Sequence, residues 1–265
     1  WRGPDGIARP TLFDDAMISL SYARTLAGGH GLVWYPGAPR VEGITNLGWT
    51  LVMAGVHRLG LGADATVELV KALGLATVWA TAAVAAALCA DADPDEPASR
   101  FAGAAVVGLC LPLLFWSVAG MEVGLICLLT LASCWTAWRV ADEPRRRWSV
   151  LLALLTVVGV VVRTDAVTVP AAILVWSLVA HRGATRRLVV PLVGGAVGAL
   201  AATTAFRLAY YGALTPNTYD LKMTGVPLVE RLGRGMVVSG LTALAVLLPA
   251  ALVVAARWRS LGPPL

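Results

Sequence analysis

Charged residues are scarce in this chain, and lysine is almost absent. Aspartate, glutamate, lysine and arginine make up 14% of the 265 residues, whereas about a quarter of a soluble globular protein is charged. Lysine occurs only at Lys71 and Lys222, against 19 arginines. Because 58% of the residues are hydrophobic and the mean hydropathy is +0.74, the composition excludes a soluble globular protein and predicts an integral membrane protein.

Cysteine and histidine are also rare, and their positions exclude two kinds of site. The four cysteines lie in apolar segments without CxxC spacing, so neither a disulfide framework nor a zinc site is expected from them. The histidines His30, His57 and His181 are far apart in the sequence. Any metal would therefore be an oxygen-liganded cation such as Mg²⁺, Mn²⁺ or Ca²⁺, held by carboxylates.

Long apolar runs dominate the rest of the chain, several of them close to the about 20 residues that cross a bilayer as a helix. Runs 148–162 and 166–180 are short and flank Arg163–Asp165, which predicts either a tight helical hairpin or one broken, buried helix. The expected fold class is all-α, a polytopic transmembrane helix bundle of about seven spans. The runs are 68–90, 101–119, 121–138, 148–162, 166–180, 188–209 and 236–256.

Residues 1–67 precede the first run and are expected to form an extracytoplasmic loop, and residues 68–265 the transmembrane bundle. Within the loop, the apolar stretch Leu47–Val56 is too short to cross a bilayer and is followed by His57 and Arg58. It is therefore predicted to be a helix that lies in the membrane interface.

Arginines concentrate in the short loops between runs. The net charge of +5 is therefore expected to orient the helices in the membrane, and no nucleic-acid partner is expected. Loops 142–147, 181–187 and 257–259 are strongly basic, and all three fall on one side by alternation. The opposite short connections, 117–120 and 163–165, hold a single arginine between them. We therefore expect the basic loops in the cytoplasm of a multi-pass cell-membrane protein.

Asp14 and Asp15 open the densest polar stretch of the chain. Apolar residues at positions 13, 17, 20, 23 and 27 follow the spacing of one helix face, so the two acids would lie in the first turn of a helix. One interpretation is structural, because acids stabilise a helix N-terminus and Thr11 or Asp14 would serve as N-cap. The other is chemical, with a carboxylate free to accept a proton from a hydroxyl.

The ionisable residues noted in or beside the apolar runs lie at the ends of those runs. They are Glu68, Lys71, Glu122, Arg163 and Asp165. A coupled transporter usually has such a group near the membrane midplane, so any chemistry is expected at the outer surface. Polar residues from four separate segments are predicted to meet there and to bind substrate. Besides the first-loop acids they are Glu42, Asn46, Glu122, Arg163, Asp165, Tyr211, Asn217 and Lys222.

In order along the chain, these polar pieces resemble the GT-C membrane glycosyltransferases. The likeness is strongest to the actinobacterial arabinofuranosyltransferases that add terminal arabinose to cell-wall arabinan. The pieces that carry it are 13–19 with Tyr22 and Arg24, 29–34, 41–46, 120–122, 163–165, and 211–212 with 216–218.

The resemblance implies a polyprenyl-phosphate sugar donor, a cell-wall polysaccharide or glycolipid acceptor, and an extracytoplasmic active site. It also implies a catalytic carboxylate in the first outer loop, which in this sequence means Asp14 or Asp15. Family members have a first span before this loop and a C-terminal soluble domain. The sequence is therefore expected to be a fragment that lacks both.

The chemistry suggested by these residues is displacement at a glycosyl phosphate. Asp14 or Asp15 would act as base, with Asp14 slightly favoured, and the other would orient it or hold a divalent cation. Tyr22 and Arg24 join the substrate-binding set through the resemblance. Arg24, Arg163 and Lys222 are the candidates for the donor phosphate, and Arg163 is preferred because it would lie next to the membrane surface. The alternative is a non-catalytic or flippase-type membrane protein that binds lipid-linked sugars.

Overall fold

The computed structural model describes residues 9–260, with side-chain surroundings for residues 9–244. Every regular element in these residues is helical, as predicted. The chain divides into two compact units, Trp1–Thr218 and Tyr219–Leu265. The helices are α1 (Asp14–Ala27), α2 (Leu47–His57), α3 (Ala63–Ala92), α4 (Ala98–Gly108), α5 (Leu111–Val118), α6 (Val123–Asp142), α7 (Arg146–Val162), a 3-10 helix (Thr164–Val167), α8 (Thr168–Ala180), α9 (Arg182–Tyr211), α10 (Asn217–Met223) and α11 (Leu228–Ser260).

Within the described residues, α3, α6 and α9 are long and apolar enough to cross a membrane. The pair α4 and α5 adds a fourth candidate span if it is counted as one, with a 52° bend at its break. The break has a local cause: Pro112, in the first turn of α5, has no N–H to donate, and in a continuous helix its ring would clash with the carbonyl group of Gly108, four residues earlier. The predicted count of about seven spans is therefore not confirmed.

The remaining predicted runs form shorter helices or lie partly outside the described side chains. Runs 148–162 and 166–180 correspond to α7, of 17 residues, and α8, of 13 residues. Thirteen helical residues extend about 20 Å, against a hydrocarbon core of about 30 Å. Run 236–256 falls in α11 of the second unit, where side chains beyond residue 244 lie outside the described residues.

Helices α1 and α2 form a small layer that packs on α3. Ala16 and Leu20 of α1, Met53 of α2 and Val70 of α3 belong to one buried apolar cluster. The 11 residues of α2 extend about 16 Å, which is too short to cross a bilayer. Its position in the membrane interface stays a prediction. The layer matters for function because it fixes the first turn of α1 against the bundle.

Helices α3, α5 and α6 approach one another closely around Ser117. A Cβ added at Gly74 of α3 would lie 2.1 Å from the Ser117 carbonyl oxygen, and one added at Gly124 of α6 would lie 2.6 Å from the Ser117 hydroxyl. Only glycine allows both approaches. The contact holds the turn between α5 and α6, which carries Glu122.

Gly74→Ala is expected to destabilise the bundle by about 1–3 kcal/mol, the usual cost of overpacking. Gly55→Ala is the matched control, since Gly55 is also helical and a Cβ there would meet nothing within 4 Å. That control should be neutral or slightly stabilising. Thermal unfolding of the detergent-solubilised protein measures both variants, and equal midpoints would contradict the close contact at Ser117.

Candidate functional site

The side chain of Glu122 is the centre of a polar cluster at one end of the first unit. It lies at the start of α6 and is only 1% exposed. Its Oε2 accepts a hydrogen bond of 2.8 Å from Asn46 Nδ2, and its Oε1 accepts one of 2.5 Å from Arg163 Nη1. A buried carboxylate needs such partners, because an unpaired charge in the interior costs several kcal/mol.

Asn46 extends this cluster into α1 and α2. Its Oδ1 accepts hydrogen bonds from Ser19 Oγ at 2.9 Å and from Thr50 Oγ1 at 3.2 Å. The Asn46 amide oxygen thus accepts hydrogen bonds from α1 and α2, and its nitrogen donates to Glu122. Ser19 and Thr50 are not in the predicted set, since a hydroxyl in an amphipathic helix has no distinctive sequence signal.

Arg163 lies between two carboxylates. Besides Glu122, it makes a bidentate contact with Asp165, from Nε to Oδ1 at 3.0 Å and from Nη2 to Oδ2 at 2.8 Å. The hydrogen bonds that Arg163 donates to Asp165, and then the one it donates to Glu122, raise the pKa of Arg163 against the opposing effect of burial. The three side chains carry a net charge of −1, so a phosphate at Arg163 would compete with carboxylates that already hold it.

A second ion pair lies next to the first and involves a residue missing from the predicted set. Arg207 of α9 donates through Nε to both carboxylate oxygens of Glu42, at 3.0 and 2.9 Å, and through Nη2 to Thr164 Oγ1 at 3.1 Å. The two side chains are 12% and 5% exposed. Arg207 lies two residues inside the end of the predicted run 188–209. A charge in that position needs a buried partner, which is the signal that could have revealed it.

Glu42 has a raised pKa, because burial disfavours its charged form more than Arg207 favours it. A carboxyl group whose pKa is higher in the folded protein than in the unfolded chain binds more protons when folded. Its contribution to the free energy of unfolding is then fully present below the ordinary value of 4.5 and falls as pH rises through the folded value.

Glu42→Gln is expected to remove this pH-dependent component of stability. The thermal unfolding midpoint of the wild-type protein, measured in detergent upward from pH 4.5, should fall more steeply with pH than that of the variant. Asp165→Asn is the control, because that side chain is 65% exposed and the change leaves the Glu42 pair intact. Parallel pH profiles for wild type and Glu42→Gln would show that Glu42 titrates as in the unfolded chain.

Three tyrosines hold the loop between α1 and α2. The Tyr22 hydroxyl donates to the Val41 carbonyl oxygen at 2.8 Å and accepts from Gly43 N at 3.1 Å. Leu32 is bound from both sides: its N donates to the Tyr210 hydroxyl at 2.9 Å, and its carbonyl oxygen accepts from the Tyr211 hydroxyl at 3.2 Å. The hydroxyl groups of Tyr22 and Tyr211 are both hydrogen-bonded to the backbone. Their contacts with a substrate stay predictions.

Asp14 and Asp15 lie in the first turn of α1, as predicted, but the expected side-chain cap is not formed. Phe13 occupies the N-cap position, and neither Thr11 nor Asp14 caps the helix. The start of the helix is fixed instead by a tertiary contact, because Phe13 N donates to the Ala119 carbonyl oxygen at 2.9 Å. This places the first turn of α1 beside the turn that leads to Glu122.

The carboxylates of Asp14 and Asp15 are exposed and have no hydrogen bond or ion pair within the described residues. Adjacent helical residues point about 100° apart, so the two acids face different ways. By this spacing Asp15 lies nearer the side of Ser19, which joins the Glu122 cluster. Asp14 lies nearer the side of Arg24, an exposed residue about 15 Å further along the helix axis.

The structure brings together most of the predicted set. Asn46, Glu122, Arg163 and Asp165 form one connected cluster, and Glu42 adjoins it through Arg207 and Thr164. Asn217 lies against Glu42, with its N donating to the Glu42 carbonyl oxygen at 3.1 Å. Lys222 belongs to the second unit.

A cleft of about 510 Å³ opens beside the Glu122 cluster, between α6 and α8. Glu122, Arg163 and Asp165 line its polar end, and apolar side chains such as Ile126 and Val169 line the rest. Its mixed lining suits an amphipathic ligand. Within residues 9–244, no three His, Cys, Asp or Glu side chains are grouped so as to hold a metal ion.

The chain resembles a known mycobacterial protein in sequence. The chain is 29% identical over 223 residues to the terminal beta-(1->2)-arabinofuranosyltransferase of Mycobacterium tuberculosis, a match that covers 79% of this chain and 34% of the relative. The chain thus spans about a third of that relative's length. No protein-family model matches the chain, and no solved structure matches it.

Glu122→Leu is expected to cost about 3 kcal/mol of stability, because Asn46 and Arg163 lose a buried acceptor. Asp165→Asn should cost less than about 1 kcal/mol, as exposed ion pairs do. Chemical denaturation in mixed micelles compares the two variants. A Glu122→Leu protein as stable as Asp165→Asn would mean that the buried carboxylate does not organise this end of the bundle.

Proposed function

We propose that this chain is part of a membrane glycosyltransferase that moves a sugar from a polyprenyl-phosphate donor to a cell-wall polysaccharide or glycolipid on the extracytoplasmic side. The similarity to an arabinofuranosyltransferase supports glycosyl transfer and makes arabinofuranose the candidate sugar. The observation that carries the proposal is a pair of exposed carboxylates, Asp14 and Asp15, which have no side-chain partner among the described residues and lie on a helix start that is fixed beside the Glu122 cluster.

The reaction requires little of the protein beyond a base and a positioned donor. A glycosyl phosphate already has a good leaving group, so an acceptor hydroxyl that loses its proton to a carboxylate can displace it. Asp14 and Asp15 suit this role because their oxygens are not engaged by other side chains within the described residues. Glu42 and Glu122 do not suit it, since both are buried and ion-paired.

The departing phosphate needs a cation, and two of the candidates, Arg24 and Arg163, differ in their surroundings. Arg163 is engaged by Glu122 and Asp165, whereas Arg24 is exposed and has no ion-pair partner within the described residues. We therefore favour Arg24 over Arg163. Because Asp14 lies nearer the side of Arg24 than Asp15 does, we favour Asp14 as the base.

A divalent cation held by Asp14 and Asp15 would have only these two protein carboxylates as ligands. Six to eight oxygen ligands are usual for Ca²⁺ and six for Mg²⁺, and the described residues offer no third acid in the group. The residues therefore fit a resident metal poorly. We assign no step of the reaction to one.

Asp14→Asn and Asp15→Asn separate chemistry from folding. Asparagine keeps the side chain's size, so a purely structural role costs only the helix-dipole interaction of about 0.3–1 kcal/mol. Loss of the base lowers the transfer rate by roughly 10²–10⁴-fold. We expect that loss for Asp14→Asn, a smaller one for Asp15→Asn, and wild-type amounts of both proteins in the membrane.

The assay is transfer of radiolabelled pentose from a polyprenyl phosphate to an oligosaccharide acceptor in native membranes. Glu68→Gln is a control for the charge change, because Glu68 is exposed and pairs with Lys71 one turn away. If both aspartate variants transfer sugar at near the wild-type rate, the first-turn acids are structural and the proposed active site is wrong.

A further inference from the structure

The cleft beside Glu122 is the first of a series of adjoining cavities along α6 and α8, here called the groove, and the end of α3 also lines its widest part. The cleft shares Thr130, Thr168 and Val169 with an apolar cavity of about 750 Å³. That cavity shares Trp138 and Trp176 with a smaller one of about 200 Å³. The groove therefore follows α6, whose 20 residues extend about 30 Å, the thickness of a bilayer's hydrocarbon core.

At its far end the groove reaches the start of α9. The cavity at Trp138 and Trp176 shares Ala141 and His181 with a further one of about 320 Å³, which Arg187 also lines. The His181 ring lies 4.7 Å from that of Trp176. Tryptophans at the end of an apolar groove, here Trp138 and Trp176, are typical of the depth at which lipid headgroups begin.

The two ends of the groove differ in charge. At the Glu122 end, two carboxylates surround one arginine, and all its nitrogens are engaged. At the His181 end, Asp142 is the acid in the lining, and Arg187 is exposed with no ion-pair partner within the described residues.

The surroundings of the His181 end add to this contrast. Arg139 is already paired with Asp91, and Arg145 with Glu143. Arg182 and Arg186 lie in the same first two turns of α9 as Arg187, and Arg146 and Arg147 begin α7. This end therefore has a surplus of positive charge, which complements an anionic headgroup.

We propose that the groove between α6 and α8 binds one anionic glycerophospholipid of the bilayer. Its headgroup phosphate accepts hydrogen bonds from Arg187, and its acyl chains lie in the 750 Å³ cavity past Trp138 and Trp176. Cavities of about 300–1,000 Å³ are usual for ligands that are largely buried. The lipid is distinct from any sugar donor, because it enters from the end opposite the Glu122 cluster.

Binding of a fluorescent phosphatidylglycerol to the protein in phosphatidylcholine nanodiscs tests the proposal. Arg187→Gln should weaken binding about tenfold, the loss expected for a charge-assisted hydrogen bond. Arg186→Gln is the matched control, since it removes the same charge from the neighbouring residue, which does not line the groove. It should change binding less than about twofold.

Ala172→Phe provides a second variant that leaves all charges in place. Ala172 lines the apolar cavity, so a larger side chain there should exclude the acyl chains and abolish saturable binding of phosphatidylglycerol. Equal weakening by the two arginine variants would overturn the proposal, because it would reduce the effect to surface charge. Binding of a polyprenyl phosphate with no binding of phosphatidylglycerol would also overturn it, as would no binding of either lipid.

Discussion

A carboxylate removed from water must be paired, and Glu122 imposes this requirement on one end of the helical bundle. Its side chain is almost fully buried at the start of α6. It is stabilised by Asn46 from the segment before α2 and by Arg163 from the end of α7. Three segments that are distant in sequence therefore meet at one point. The close approach of α3, α5 and α6 at Ser117 supports the turn that carries the carboxylate.

The charges at this end divide into two groups with different consequences. Glu42 and Glu122 are buried, and each forms an ion pair with an arginine. These ion pairs fix the position of the first loop relative to the ends of α7 and α9. Asp14 and Asp15 are exposed on the first turn of α1 and have no such partner within the described residues. The buried pairs supply rigidity, and the exposed acids are the groups that we propose as the base and its neighbour.

The sequence was sufficient to predict those features of the fold and the site that depend on local residue spacing or on the ends of apolar runs. Periodicity predicted the start of α1, and the positions of Asn46, Glu122, Arg163 and Asp165 outside or at the ends of runs predicted that they would meet. Tertiary pairing was not predictable in this way. Arg207 finds Glu42 across 165 positions, and the α1 N-terminus depends on a backbone contact to Ala119, so neither follows from neighbouring residues. The hydropathy count of about seven spans is not confirmed. Hydropathy registers apolar length and misses a helix break such as the one at Pro112.

The most direct test of the account is sugar transfer from a labelled polyprenyl-phosphate pentose to a membrane-impermeant acceptor, compared in right-side-out and inside-out membrane vesicles. In the proposed function, Asp14, Asp15 and the Glu122 cluster lie on the extracytoplasmic face. Product should therefore form in right-side-out vesicles, and inside-out vesicles should form it only after the membrane is opened with detergent. Product formed only in intact inside-out vesicles would contradict the orientation. No product in either preparation after detergent, with the protein present in normal amounts, would contradict the proposed activity itself.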